Sequence, residues 1–112
     1  MKKLLVVWKS ENEIDISKFI VPFTYNSKAQ NWFSGVEVLI WGGSQVVITE
    51  TPKYQEYVKT FIHNEIPVYA CKMCADDTGS TEMLESLGVN VMYTGVYLAE
   101  KLNSSDWEVL TI

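Results

Sequence analysis

Positive charge is scarce in this chain. Nine Lys and Arg face fourteen Asp and Glu, the net charge is -5, and no basic cluster forms anywhere along the 112 residues. Nucleic-acid binding is therefore not expected, because phosphate contacts need Lys and Arg. Long hydrophobic runs are missing too. A transmembrane helix needs about 20 apolar residues, and none of the runs here approaches that. The start, Met1 to Lys9, outwardly resembles a signal peptide. Its apolar part spans only Leu4 to Trp8 and no small-residue cleavage site follows, so it reads as a first strand. A cytoplasmic location is the expectation that follows.

Cysteine and histidine are nearly absent. The chain has two Cys and one His. A structural zinc site needs four ligands, so one Cys pair and His63 cannot complete one within a single chain. Only pairing between subunits would do so. His63 itself reads as a solvated or capping residue near a helix end. No Walker loop or dinucleotide fingerprint is present, because the spacing around Gly42 and Gly43 fits neither. No cofactor is implied.

What is present is a regular alternation. Leu4 to Trp8 and Val36 to Trp41 are continuous apolar runs, as expected of parallel strands buried on both faces. Val68 to Cys71, Val89 to Tyr93 and Trp107 to Ile112 supply three more strands. Between the first two, Ile16, Phe19, Ile20 and Phe23 recur at helical spacing, with Asp15 or Ser17 as candidate caps and Pro22 as a kink or late start. Gln45 to Glu50 is open between a short helix and an extended piece. Thr51-Pro52 marks a helix start, and Tyr54, Tyr57, Val58, Phe61 and Ile62 form its apolar stripe. Further helices are expected after Gly79 and after Thr94-Gly95. Strands alternating with helices predict a single α/β domain with a parallel sheet and helices on both faces.

Such sheets bind ligands beyond the carboxyl ends of their strands. Those ends fall here at Lys9-Ser10, at Trp41-Gly42-Gly43-Ser44, at Cys71 to Asp77 and at Tyr93-Thr94-Gly95. Both cysteines, Cys71 and Cys74, lie in this set with C-x-x-C spacing. A thiolate is the reactive form of cysteine, and a helix start or a neighbouring cation favours it. A turn after Cys71 would aim N–H groups at its sulfur, and Lys72 is adjacent. Cys74 stands where it can resolve an oxidised Cys71, whereas Asp76 and Asp77 would oppose a nearby thiolate. Trp41, Gly42, Gly43 and Ser44 are candidate pocket residues, with Ser10, Lys72, Asp76, Thr78, Gly79 and Gly95 on the same rim. The alternative is a binding module in which both cysteines are structural.

Several stretches, taken in order, point to a family. Val21-Pro-Phe-Thr-Tyr25 and Val38-Leu-Ile-Trp-Gly-Gly-Ser44 are followed by Ala70-Cys-Lys-Met-Cys-Ala-Asp76 and Gly79. Leu87-Gly-Val89, Tyr93-Thr-Gly95 and Trp107 to Ile112 complete the series. Collinear over nearly the whole chain, they resemble the DsrE/DsrF-like family, and more narrowly its small stand-alone members. The resemblance implies a three-layer α/β/α fold with a five-stranded parallel sheet, the last strand beside the first. It implies homo-oligomers, often trimers or hexamers. It also implies that Cys71, after the third strand, accepts sulfur as a persulfide from a donor protein and passes it to an acceptor. Cys74 lies outside the relay pattern and is similar to a C-x-x-C subgroup.

Overall fold

A computed structural model describes all 112 residues. Five parallel strands form one sheet in the order β4-β3-β2-β1-β5. They are β1 (Lys3–Trp8), β2 (Val36–Ile40), β3 (Val68–Cys71), β4 (Asn90–Met92) and β5 (Trp107–Thr111). The last strand does lie beside the first, with Leu5 opposite Val109. Strand β1 sits between β2 and β5, and its residues Leu4 to Trp8 are all buried. This is why it reads as an unbroken apolar run rather than an alternating one.

The strand order decides how the helices are shared. From β1 to β4 the chain steps one way across the sheet, and right-handed crossovers then put every connecting helix on the same face. That face carries the main core. Trp8, Ile40, Val68 and Ala70 pack there against Ile20, Val58, Phe61 and Leu84. The return from β4 to β5 crosses the opposite face through a single helix, α7 (Gly95–Asn103). Its Tyr97 and Leu98 cover a small cluster of Leu5, Val7 and Leu39. The Tyr97 hydroxyl donates to the Glu37 carboxylate, and the Lys101 ammonium lies 3.9 Å from the Trp107 ring centre. The fold is thus three-layered, with one thick and one thin helical layer.

The segment after β1 differs from the expectation in its details. Asn12 caps the start, not Asp15 or Ser17. Its side chain accepts from the Ile14 and Asp15 N–H groups, both at 3.0 Å. One turn of α1 (Glu13–Asp15) leads into a wide π-helical turn, Ile16–Ile20, and then α2 (Val21–Ala29). Pro22 explains the wide turn. It has no N–H to give and its ring would strike the carbonyl four residues back. The Val21 N–H instead reaches Ile16, five residues back. Proline therefore opens the second part of the helix without breaking it.

The ambiguous stretch after β2 is helical, as α3 (Gly43–Glu50), followed by α4 (Pro52–His63). Short helices α5 (Lys72–Thr78) and α6 (Thr81–Ser86) lead from β3 to β4. No helix is long and apolar enough to cross a membrane.

The thick layer carries most of the buried apolar surface, so substitutions there dominate stability. Ile40 is fully buried, whereas Leu102 on α7 is 63% exposed. Ile40→Ala is expected to cost about 2–5 kcal/mol. Leu102→Ala is expected to stay within about 0.5 kcal/mol. Urea denaturation midpoints of the two variants against the parent chain check the contrast.

Candidate functional site

The carboxyl ends of β1, β2, β3 and β4 meet on one rim, and Cys71 is the last residue of β3. It is also the N-cap of α5, with an extended backbone (φ -69°, ψ 120°). Cys74 is then the third residue of that helix. In this geometry the N-cap and N3 side chains face each other, as the two members of a capping box do. Both cysteines are free, Cys71 buried and Cys74 half-buried.

Strand β2 ends at Ile40, paired with Ala70, so the peptide of Cys71 has no strand partner on that side. Gln45, buried on α3, fills the position. Its Nε2 donates to the Cys71 carbonyl at 3.0 Å, and its Oε1 accepts from the Cys71 N–H at 3.3 Å. A side-chain amide here stands in for a peptide and holds the Cys71 backbone from both of its polar groups. On the other side Cys71 pairs with Met92 of β4.

The two sulfurs have different surroundings. Burial pushes the Cys71 thiol up, but hydrogen bonds to its sulfur outweigh this and hold it below the ordinary thiol value. The donors are the Cys74 N–H and thiol, the Thr94 hydroxyl and the Met73 N–H. Cys74 is shifted the other way. Burial raises it first, then its bond to Cys71 and the charge on that sulfur, while the Gly42 N–H pulls in the opposite direction. Asp77 adds to the rise. The two shifts run in opposite directions, so Cys71 is the more acidic thiol of the pair and the first to ionise.

Thr94 caps α7 and is 2% exposed. Its hydroxyl is buried without a hydrogen-bond partner, on the side of Cys71 whose thiol it helps to lower. Neither Thr94 nor Gln45 stood among the candidate pocket residues of the sequence. Thr94 was legible as a strand-end position. Gln45 had no signal, because a glutamine that replaces a peptide looks like any helical glutamine.

The rim residues expected from the sequence divide into those near the sulfurs and those engaged elsewhere. Gly42 is near. Its backbone (φ 74°, ψ -136°) is open only to glycine, and that twist presents its N–H to Cys74. Trp41 and Gly42, with Val7 and Lys9, line a shallow cleft of about 260 Å³. Ser44 is fully buried and gives its hydroxyl to the carbonyls of Trp8 and Trp41. A β-carbon on Gly43 would come within 2.8 Å of the Glu11 carboxylate. Ser10 accepts from the Asn12 N–H at 3.1 Å and takes part in that turn.

Lys72 is engaged by a carboxylate. It pairs with Asp76 at 2.8 Å on the exposed face of α5 and holds that carboxyl below its usual range, with help from the Thr81 hydroxyl. The expected cation beside Cys71 is thus a set of N–H dipoles, and the expected repulsion from Asp76 is absorbed by Lys72. Thr78 donates to the Cys74 carbonyl at 2.8 Å, and Gly79 closes α5 in the left-handed conformation (φ 68°). Gly95 is the exposed first residue of α7, beside Thr94. His63 lies at the end of α4, and no three His, Cys, Asp or Glu side chains of the chain converge as a metal site would require.

The roles of the two thiols can be separated by pH. The alkylation rate of Cys71 with iodoacetamide is expected to rise at a pH below the ordinary thiol range of about 8.5. Thr94→Val removes one donor to the thiolate, so the profile moves to higher pH, while Thr94→Ser leaves it close to the parent. Peptide-resolved mass spectrometry over a pH series reads both effects.

No family model and no curated protein matches the sequence. Solved structures do. BT1422 from Bacteroides thetaiotaomicron, a conserved protein of unknown function, superposes with a TM-score of 0.94 at 24% identity, over 99% of this chain and 95% of its own. YchN from E. coli superposes at 0.76 with 21% identity, and MTH1491 from Methanobacterium thermoautotrophicum, also of unknown function, at 0.79 with 17%. Both cover each chain fully. These likenesses establish that the chain has the same five-stranded parallel α/β fold.

Proposed function

We propose that this protein is a DsrE-like sulfur carrier that accepts sulfur on Cys71 as a persulfide and hands it on. The observation that carries the reading is the place of Cys71, the last residue of β3 and the N-cap of α5, where N–H donors of that helix's first turn lower its thiol. A carrier thiol must be a nucleophile at neutral pH, and such donors favour the thiolate.

The chemistry needs no cofactor. The Cys71 thiolate attacks the outer, sulfane sulfur of a donor persulfide. The bond between the donor's two sulfurs breaks, the donor leaves as a thiolate, and Cys71 becomes a persulfide. Transfer onward is the same displacement with the acceptor's thiolate attacking. The donor N–H groups that hold the Cys71 thiolate serve it equally as a leaving group in that second step.

Sequence order supports the same reading. Cys71 stands after the third strand with Gly79 eight residues later, as in the relay members of the family that the chain resembles. Gly79 ends α5 and so defines the turn that carries the thiol. A homo-oligomer, trimeric or hexameric, and donor and acceptor proteins as partners belong to this reading. Trp41 and Gly42, which line the cleft at the end of β2, would meet the incoming group.

Intact-mass measurement after anaerobic incubation with inorganic polysulfide tests it. The parent protein is expected to take up sulfur in steps of about 32 Da or to show its oxidised product. Cys71→Ser is expected to take up none. An adduct of equal occupancy on Cys71→Ser would overturn the assignment.

A further inference from the structure

The carrier reading leaves the second thiol without a task, and the geometry gives it one. Cys71 is the N-cap and Cys74 the third residue of α5, the two positions whose side chains face each other at a helix start. Only two residues separate the cysteines, so the ring a disulfide would close is the small one found in C-x-x-C redox pairs. Gly42, at the end of β2, supplies an N–H that lowers the Cys74 thiol against the rise from burial. A donor at the less acidic thiol of the pair has a use when that thiol gives up its proton.

Resting on the persulfide reading, we propose that Cys74 discharges the Cys71 persulfide within the same chain, releasing hydrogen sulfide and leaving a Cys71–Cys74 disulfide. Cys74 attacks the inner sulfur, Cys71 Sγ. The new bond is Cys74 Sγ to Cys71 Sγ, and the bond that breaks joins Cys71 Sγ to the outer sulfur. The outer sulfur leaves with the bonding electron pair and takes the Cys74 proton, so it departs as hydrogen sulfide. The sulfane sulfur is reduced by two electrons and the two cysteines are oxidised by two. No external oxidant enters. An external dithiol then reduces the disulfide by ordinary exchange and restores the pair.

The surroundings favour this direction of attack. Cys74 must give up its proton to attack, and the Gly42 N–H, which lowers this thiol, favours the thiolate that results. The donors of Met73 and Thr94 stay on Cys71 Sγ, the atom under attack. Lys72 and Asp76 take no part, being paired with each other outside the sulfurs. The protein would therefore operate in two ways. With an acceptor docked, the outer sulfur goes to the acceptor. Without one, the intramolecular thiol removes it. The reaction that must follow is a dithiol-dependent reduction, and the one that must precede it supplies sulfane sulfur.

The test uses the full chain, loaded anaerobically with inorganic polysulfide and desalted at once. Cys74→Ser is expected to keep a stable persulfide on Cys71, heavier by about 32 Da. The parent chain is expected to release one equivalent of sulfide per chain and to end about 2 Da lighter than its reduced form, with Cys71 and Cys74 in one disulfide-linked peptide. Added dithiol returns it to the reduced mass. A parent chain that holds its persulfide as long as Cys74→Ser, with no sulfide released, overturns the discharge step and leaves the carrier reading intact. Absence of any sulfur or disulfide on either form overturns both. Cys74→Ala, checked by circular dichroism for a native fold, guards against an effect of the serine hydroxyl and is expected to behave as Cys74→Ser does.

Discussion

The double hydrogen bond between Gln45 and the Cys71 peptide is the constraint on which the rim depends. Strand β2 stops one residue too early to pair with Cys71, so the sheet alone would leave one edge of that residue unbonded. Buried peptide groups without partners are costly, on the order of 1–3 kcal/mol each. A single amide side chain satisfies both. In doing so it ties three elements together, because Gln45 belongs to α3, Cys71 ends β3, and α5 begins at the next residue. The backbone of Cys71 is thereby fixed before its side chain does anything. Every donor around the sulfur is positioned relative to that fixed point.

Placement of the donors follows from the direction in which the chain crosses the sheet. Because β1 to β4 are parallel neighbours, their carboxyl ends and the starts of the helices that follow them gather along one edge. Gly42 comes from the end of β2, Cys71 from β3 and Thr94 from the end of β4. Adjacent strands bring these three together although more than fifty residues of sequence separate the first from the last. The reversal from β4 to β5 leaves the opposite face to α7 alone. That helix has two jobs: Tyr97 and Leu98 cover the sheet, and its N-cap supplies Thr94 to the sulfur.

Much of this was legible in the sequence, and the reasons differ by element. The buried strands were readable because parallel strands are apolar on both faces, as Leu4 to Trp8 are. Cys71 was readable as a rim residue because it follows such a run and precedes a polar turn. The resemblance to the DsrE/DsrF-like family supplied the place of the last strand, which the pattern alone could not. Three kinds of feature were hidden. The π-turn was hidden because a wide turn has no residue signature of its own, and Pro22 could as well have ended the helix. The cation beside Cys71 was assigned to Lys72 by adjacency, yet helical spacing brings Lys72 to Asp76, four residues on, and pairs the two. Ser44 was read as a pocket residue because it follows two glycines, but the fold turns its hydroxyl inward to the strand carbonyls.

Gly42, Met73 and Cys74 act on the sulfurs through main-chain N–H groups. Alanine scanning, which edits side chains, would pass over such donors. The electrostatic field at Cys71 is thus a property of the backbone trace, with Thr94 as the principal side-chain contribution besides Cys74 itself. A chain can exchange most of its residues while keeping that trace, as the superposition with BT1422 at 24% identity illustrates for the fold. The chemistry of this rim is encoded less in the letters around the cysteines than in where the peptide bonds point.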